Sequence, residues 1–164
     1  MEPVTNVKIA GLGGMGVLSA ASVLAEAAFL AGFDVKKAEV HGMSQRGGSV
    51  ASDIRFGRHV LSPMIPPGEI DFLVVLAPEW SEVHRGELRP GGRLVTSDDI
   101  DLARLPGKRA LNAALMGALS RLLLLPEEHW LAALEKGFPA NLHASNRAAF
   151  DLGRNGLAPA GPNS

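Results

Sequence analysis

Apolar residues occur in short runs along the chain, and longer segments with helical spacing separate these runs. Residues 7–12 form the first run, and an Ala/Leu-rich segment at residues 17–31 follows after four mostly glycine positions. Gly32 favours a helix end, and residues 33–40 predict a second strand. The N-terminal part of the chain therefore predicts a strand–helix–strand unit with a right-handed crossover.

The same alternation continues to the C-terminal end of the sequence. Further strands are predicted at residues 49–56, 59–62, 70–76 and 93–96. Further helices are predicted at residues 78–88, 111–125, 127–136 and 141–155. The pattern predicts an α/β fold, a three-layer α/β/α sandwich whose mostly parallel sheet carries an inserted antiparallel hairpin at residues 49–62. We expect a single domain over residues 1–155 and a flexible C-terminal tail over 156–164.

Composition narrows the classes of function. The 164 residues carry a formal net charge of −1, which gives no reason to expect nucleic acid or an anionic membrane as a partner. The first residues lack the basic region of a signal peptide, so we expect a cytoplasmic protein. There is no cysteine, and the chain therefore has no thiolate for an iron–sulfur cluster and no thiol nucleophile.

The segment GLGGMG, residues 11–16, lies between the first strand and the first helix. Gly11, Gly13 and Gly16 match G-x-G-x-x-G, and Gly14 and Met15 complete the turn. Such glycines permit positive φ and a close backbone approach, and the helix N-terminus favours an anion, so a phosphate or pyrophosphate contact is one interpretation. The other is tight packing of helix on strand. Glu39, near the end of the second strand, has the spacing of a ribose-binding acid.

Two other motifs are excluded because residues that they require are replaced. Val17 and Leu18 stand where a phosphate-binding P-loop needs Lys and Ser or Thr. Arg46 stands where the nucleophile elbow G-x-S-x-G around Ser44 needs its last glycine.

Residues 41–48, HGMSQRGG, form a loop of mixed chemistry. The loop leaves the carboxyl end of the second strand, where open α/β sheets bind ligands, and it should lie beside the glycine turn. Arg46 is suited to a bidentate contact with a carboxylate or phosphate, and Gly47 and Gly48 allow another surface to approach. His41 and Gln45 are the other candidate binding residues.

The remaining polar candidates have ordinary structural interpretations. The five histidines lack metal-ligand spacing, so we expect no metal site. Asp98, Asp99 and Asp101 are expected to cap short helices in a solvated loop. Asn112 is either a capping group at the start of a helix or a polar group that faces a ligand.

Four segments together resemble a known family. They are residues 11–57, with "EVHGMSQRGGSV" as the most specific part, and the segments "SPMIPPGEIDFLVVLAPEW", "LRPGGRLVTS" and "ANLHASNRAAFDLG". They resemble the gamma-type subunit of 2-oxoacid:ferredoxin oxidoreductases, and within that family the small (beta) subunits of indolepyruvate ferredoxin oxidoreductases. The likeness extends to about Gly153.

The resemblance implies a share in oxidative decarboxylation of a 2-oxoacid to an acyl-CoA, with ferredoxin as electron acceptor. Thiamine diphosphate, Mg²⁺ and iron–sulfur clusters are implied on larger partner subunits, and the glycine turn and residues 41–48 would border the substrate and CoA region. Members often have Gln where this chain has Met15, which cannot make amide hydrogen bonds. The resemblance leaves open which 2-oxoacid is used: indolepyruvate, another aryl pyruvate, a branched 2-oxoacid, pyruvate or 2-oxoglutarate.

Two other classes remain open at this point. One is a free-standing NAD(P)-binding domain, which accounts for GLGGMG and Glu39 but not for residues 41–48. The other is an α/β interaction module without a ligand.

Arg46→Ala separates a binding role from a structural one. We expect the free energy of unfolding of the isolated chain to change by less than about 0.5 kcal/mol. In the complex with the larger subunit, loss of a charge-assisted contact should cost roughly 2–5 kcal/mol in turnover or CoA dependence. Arg46→Lys should restore part of this, because it keeps the charge but not the planar fork. Full activity of Arg46→Ala, or a loss of activity in proportion to a lower melting temperature, would contradict the binding role.

Overall fold

The computed structural model describes residues 3–41 and 48–156, with the backbone alone for His41. In these ranges the strands are β1 (Val4–Leu12), β2 (Asp34–His41), β3 (Ser49–Gly57), β4 (Ile70–Val75) and β5 (Leu88–Thr96). The α-helices are α1 (Val17–Leu30), α2 (Ser81–Arg85), α3 (Leu111–Leu122), α4 (Glu127–Gly137) and α5 (His143–Gly156). The predicted tail beyond Gly156 lies outside the described residues.

The strands form one mixed sheet in the order β2-β3-β1-β4-β5. β4 is parallel to β1 and to β5, whereas β3 is antiparallel to both β1 and β2. The predicted α/β sandwich is confirmed, but the prediction of a mostly parallel sheet is wrong, because only two of the four pairings are parallel. The reason is the short link between His41 and Ser49. A parallel neighbour needs a crossover of a dozen or more residues, and this link is too short for one.

The predicted return strand at residues 59–62 is not formed. Both edges of β3 are already paired, one with β1 and one with β2, so no edge is left for a further strand. Side chains bind this segment instead. Asp34 Oδ2 accepts a hydrogen bond from the Val60 amide at 2.8 Å, and Arg55 Nη1 donates to the Ser62 carbonyl at 2.8 Å. The antiparallel hairpin is therefore formed by β2 and β3, and not by two strands within residues 49–62 as predicted.

The two faces of the sheet are covered unequally. Val7, Ile54 and Val74 point into the main core with α1, α3, α4 and α5. Leu73 and Val75 alternate with Val74 and point the other way, into a smaller cluster with Trp80. The helix predicted at 78–88 is shorter than expected, because it consists of a 3₁₀ turn at Pro78–Trp80 and α2, while Leu88 begins β5. No helix in the described ranges is long and apolar enough to cross a membrane.

A charged cluster lies in the middle of the less covered face. Lys8 on β1 is only 12% exposed, and its Nζ is 2.6 Å from Glu87 Oε2 and 3.5 Å from Asp53 Oδ1 on the neighbouring β3. Partial burial raises the pKa of Glu87, but hydrogen bonds from Lys8 and His84 outweigh it and hold that pKa below its ordinary value. The cluster pairs charges that would otherwise be costly to remove from water.

α3 and α5 approach each other closely at two glycines. A Cβ atom placed on Gly117 would lie 2.0 Å from the Phe150 carbonyl oxygen, and one on Gly153 would lie 1.8 Å from the Ala114 carbonyl oxygen. Rigid backbone cannot move aside as a side-chain end can. Glycine at both positions therefore sets how closely the two helices approach.

Gly117→Ala tests this contact. We expect a loss of at least about 2 kcal/mol in the free energy of unfolding, because the methyl group overlaps the backbone of α5. Gly86→Ala is the matched control, since Gly86 has helical φ of −66° and open space around it. The control should change stability by less than about 0.5 kcal/mol. Urea denaturation of both variants measures the difference, and equal stability would contradict the close crossing.

Candidate functional site

The glycine turn lies at the carboxyl end of β1 and touches the end of the 41–48 loop. Gly13 N donates a hydrogen bond to the Gly48 carbonyl at 2.9 Å, and Met15 N donates to the Leu12 carbonyl at 3.2 Å. Gly48, the last residue of this loop, therefore lies beside the turn. Gln45, Arg46 and Gly47 lie outside the described residues, as does the side chain of His41.

The glycines of the turn serve different purposes. Gly14 and Gly16 have φ of +86° and +84°, the left-handed region that favours glycine. Gly11 is a packing position, because an added Cβ would lie 3.0 Å from Val17 Cγ2 and 3.2 Å from Leu76 Cβ. Met15 packs at the edge of the main core, which suits an apolar side chain. Tight packing of helix on strand thus accounts for Gly11 but not for Gly14.

Gly16 is held against α3 by Asn112. The Asn112 side chain is buried, its Nδ2 donates to the Gly16 carbonyl at 3.3 Å, and its Oδ1 accepts from the Ala113 amide at 2.9 Å. A Cβ on Gly16 would lie 2.4 Å from Asn112 Nδ2. Asn112, the second residue of α3, therefore binds an amide of its first turn and also fixes the glycine turn to the start of that helix.

A cleft of about 420 Å³ opens between the turn and the start of α3. Turn and helix residues form one wall, a basic pair forms another, and apolar side chains form the rest. The lining residues are Gly14, Met15, Gly16, Ser19, Lys108, Arg109, Leu111, Asn112, Phe138 and Leu142. The cleft combines positive charge with apolar surface, which suits an anionic ligand that also has an apolar part.

Lys108 and Arg109 were missed by the sequence reasoning. They lie in a 3₁₀ turn, Lys108–Ala110, that leads directly into α3. The signal was present, because a Lys–Arg pair comes shortly before Asn112 in the sequence. Lys108 and Arg109 are far from the glycine turn along the chain, so the sequence did not indicate that they lie near it. The contact between Asn112 and Gly16 brings the two segments together.

Glu39, Asp99 and Asp101 do not line this cleft. Glu39 forms an ion pair with Lys37 at 3.3 Å on the edge strand. Asp99 Oδ2 accepts from the Thr96 amide, and Asp101 Oδ1 accepts from the Ala103 amide, so the predicted capping role is confirmed for both. Within the described part of the chain, no group of three or more His, Asp or Glu residues could hold a metal ion.

Comparison with known proteins places the chain in a family. The model of the family described as pyruvate ferredoxin/flavodoxin oxidoreductase matches residues 6–108. This range includes the whole sheet except Val4 and Thr5, the first two residues of β1. The chain belongs to this family. The matched range includes the glycine turn and Lys108, whereas α3, α4 and α5 lie beyond it.

Curated relatives within the pyruvate ferredoxin/flavodoxin oxidoreductase family agree with this assignment. Indolepyruvate oxidoreductase subunit IorB of Thermococcus kodakarensis is 42% identical over 92 residues, which cover 56% of this chain and 46% of the relative. The same subunit of Pyrococcus horikoshii is also 42% identical over 92 residues, with the same coverage. The matched region thus spans about half the length of these relatives.

Solved structures have the same fold. The gamma subunit of a keto/oxoacid ferredoxin oxidoreductase from Geobacter sulfurreducens PCA is similar with a TM-score of 0.78 and 22% identity, over 94% of this chain and 96% of that one. The 2-oxoglutarate:ferredoxin oxidoreductase of Magnetococcus marinus, with 2-oxoglutarate, coenzyme A and succinyl-CoA bound, gives a TM-score of 0.82 and 21% identity. That match covers 99% of this chain and 33% of the other. At these identities the likeness shows the fold alone.

Gly16→Ala tests the link between the turn and α3. We expect it to lower the free energy of unfolding by at least about 1 kcal/mol more than Gly14→Ala does. Both variants introduce a side chain at positive φ, at a cost of roughly 1–2 kcal/mol, but only the first meets Asn112. Adding Asn112→Ala to Gly16→Ala should give less than the sum of the two single losses. Additive losses in denaturant unfolding would show that Gly16 and Asn112 act independently.

Proposed function

We propose that this chain is the gamma-type subunit of a 2-oxoacid:ferredoxin oxidoreductase and that it forms one wall of the substrate and CoA region. The observation that carries this proposal is the cleft between the glycine turn and the Lys108–Arg109 pair. Family membership and the relatives named as indolepyruvate oxidoreductase subunits support the reaction class. The 2-oxoacid stays open: indolepyruvate, another aryl pyruvate, pyruvate, a branched 2-oxoacid such as ketoisovalerate, or 2-oxoglutarate.

The chemistry of the cleft fits CoA. CoA carries phosphate groups at one end and a long, partly apolar arm at the other. Lys108 and Arg109 supply the charges and donors that phosphates require, and Arg does so in a planar fork. Phe138 and Leu142 supply apolar surface in the same cleft. In this proposal His41, Gln45, Arg46, Gly47 and Gly48 border the same region from the loop beside Gly13.

The redox and thiamine chemistry of the proposed enzyme belongs to partner subunits. The chain has no cysteine, so its residues do not fit iron–sulfur clusters held by thiolates. The sequence also lacks the G-D-G…N motif that holds a diphosphate with Mg²⁺. We infer larger subunits that hold thiamine diphosphate, Mg²⁺ and the clusters, with ferredoxin as the acceptor, in a complex formed in the cytoplasm.

The free-standing NAD(P) domain is less well supported by the geometry. In a dinucleotide-binding fold the second strand lies directly beside the first, and its acidic residue reaches the ribose. Here β3 lies between β1 and β2, so β2 is two strand spacings from β1 instead of one, and Glu39 is about 5 Å further from the turn than in that arrangement. The ion pair with Lys37 also occupies its carboxylate. An interaction module without a ligand leaves the basic cleft unexplained.

The test is reconstitution with the larger subunit. Purified alone, the chain should be colourless, hold no thiamine diphosphate and turn over no 2-oxoacid. With its partner it should support CoA-dependent reduction of a viologen. Activity of the lone chain with a 2-oxoacid would contradict the proposal, as would failure of every 2-oxoacid tested with the partner present.

The double variant Lys108→Ala/Arg109→Ala tests the cleft itself. Loss of charge-assisted contacts should raise KM for CoA at least about tenfold, while binding of the 2-oxoacid in the absence of CoA stays unchanged. Arg104→Ala is the matched control, because Arg104 lies in a nearby 3₁₀ turn but lines a different cleft. An unchanged KM for CoA in the double variant would remove these two residues from the proposed site.

A further inference from the structure

β2 forms one edge of the sheet, and in the described structure it pairs only with β3. The other edge strand, β5, has features that discourage further pairing: Pro90 and a register shift opposite Ile70 and Phe72. β2 has neither. Its eight residues keep a regular register with β3 from Asp34↔Gly57 to His41↔Val50. Its outer edge therefore offers a regular row of backbone donors and acceptors.

The charges on β2 do not protect this edge. Unpaired lysines on an edge strand commonly repel another strand. Here Lys36 Nζ is 3.1 Å from Asp34 Oδ1, and Lys37 Nζ is 3.3 Å from Glu39 Oε1. Two lysines and two acids cancel over six residues, so the strand presents no net repulsion to a second strand.

We propose that β2 pairs antiparallel with β2 of a second copy of this chain, about a twofold axis at Ala38. A twofold axis perpendicular to the sheet keeps each face on its own side, so residues opposite each other must both be odd or both be even in number. An axis at Ala38 places Lys37 opposite Glu39 of the other copy, twice over. An axis at Lys36, Lys37 or Glu39 would instead place that residue opposite itself, with like charges facing. An axis at Val35 or Val40 avoids such contacts but pairs only three residues of each β2, whereas an axis at Ala38 pairs seven, so charge and paired length together select Ala38.

The same register covers an exposed apolar side chain. Val40 is 56% exposed on the face opposite that of Lys37 and Glu39. With the axis at Ala38, it lies opposite Lys36 of the other copy. The aliphatic stem of a lysine can cover such a side chain while its ammonium stays in water.

The helices leave room for this pairing. α1 contacts β1, β2 and β3, which places it over the middle strand of the three, β3. In the paired sheet the two β3 strands would be three strand spacings apart, or about 14 Å. Packed helices need only about 8–10 Å between their axes, so the two α1 helices do not collide. The residue of α1 that touches Lys37 is Ser22, a small side chain.

Charge reversal of each residue, followed by mixing, tests the proposal on the full chain. Wild type should show a concentration-dependent monomer–dimer equilibrium in sedimentation velocity. Lys37→Glu alone gives two Glu–Glu pairs across the interface and Glu39→Lys alone gives two Lys–Lys pairs, so each should raise the dissociation constant at least about tenfold. An equimolar mixture of the two variants should dimerise again, because every cross-strand pair is then Glu with Lys.

The mixture separates pairing between copies from effects within one chain. Neither variant keeps the Lys37–Glu39 ion pair inside the chain, so recovery on mixing can come only from contact between copies. Lys136→Glu is the control, because it reverses an exposed ion pair with Glu26 away from β2 and should leave dimerisation unchanged. A monomeric wild type, single variants that associate like wild type, or a mixture that stays monomeric would overturn the proposal. None of these outcomes bears on CoA-dependent turnover with the larger subunit.

Discussion

The antiparallel pairing of β3 with β1 is the constraint on which the rest of this structure depends. The pairing runs without interruption from Val4↔Gly57 to Leu12↔Ser49. Because β3 starts opposite the end of β1, the chain that enters β3 must pass the glycine turn, and Gly48 is fixed there by the Gly13 amide. The same pairing moves β2 to the edge of the sheet. One strand insertion therefore places Gly48 beside the turn, moves Glu39 away from the turn and leaves β2 at the edge of the sheet.

The cleft needs both halves of the chain. The glycine turn and Lys108 belong to the range that the family model matches, whereas Asn112, Phe138 and Leu142 come after it. Asn112 joins the two parts through its hydrogen bond to Gly16, and α3 is in turn held by its close crossing with α5. A small displacement of α3 would therefore change the cleft even though no residue in its wall had been replaced.

The sequence was most informative where the signal is local. The glycine turn, the end of β1, the bounds of α1 to within one residue and the capping acids follow from spacing and turn chemistry within a few residues. Strand direction is not a local property, and a parallel sheet was expected because strands and helices alternate along most of the chain. The short link between β2 and β3 already indicated that these two strands are antiparallel. Residues 59–62 have strand-like composition, but no free edge exists next to β3, and composition cannot reveal that.

The site shows the same division. Gly14 and Gly16 could be predicted as left-handed positions, because few other residues tolerate that backbone. Lys108 and Arg109 could not be placed, because their position depends on a contact between residues 16 and 112 that has no signature in either segment alone. Asn112 was predicted either to cap a helix or to face a ligand, and in the structure its side chain binds the Gly16 carbonyl and the Ala113 amide.

The position of α4 has a consequence for how the chain is made. The buried face of α1, which includes Val23, packs against α4, and Gly137 at the end of α4 lies close to Val23 Cγ2. Between the end of α1 at Leu30 and the start of α4 at Glu127 lie 96 residues of sequence. On the ribosome, α1 and the strands beneath it are synthesised first, and the surface that α4 covers stays open to water until residues 127–137 have followed. The N-terminal sheet thus emerges with an uncovered apolar surface, and the C-terminal helices complete its enclosure.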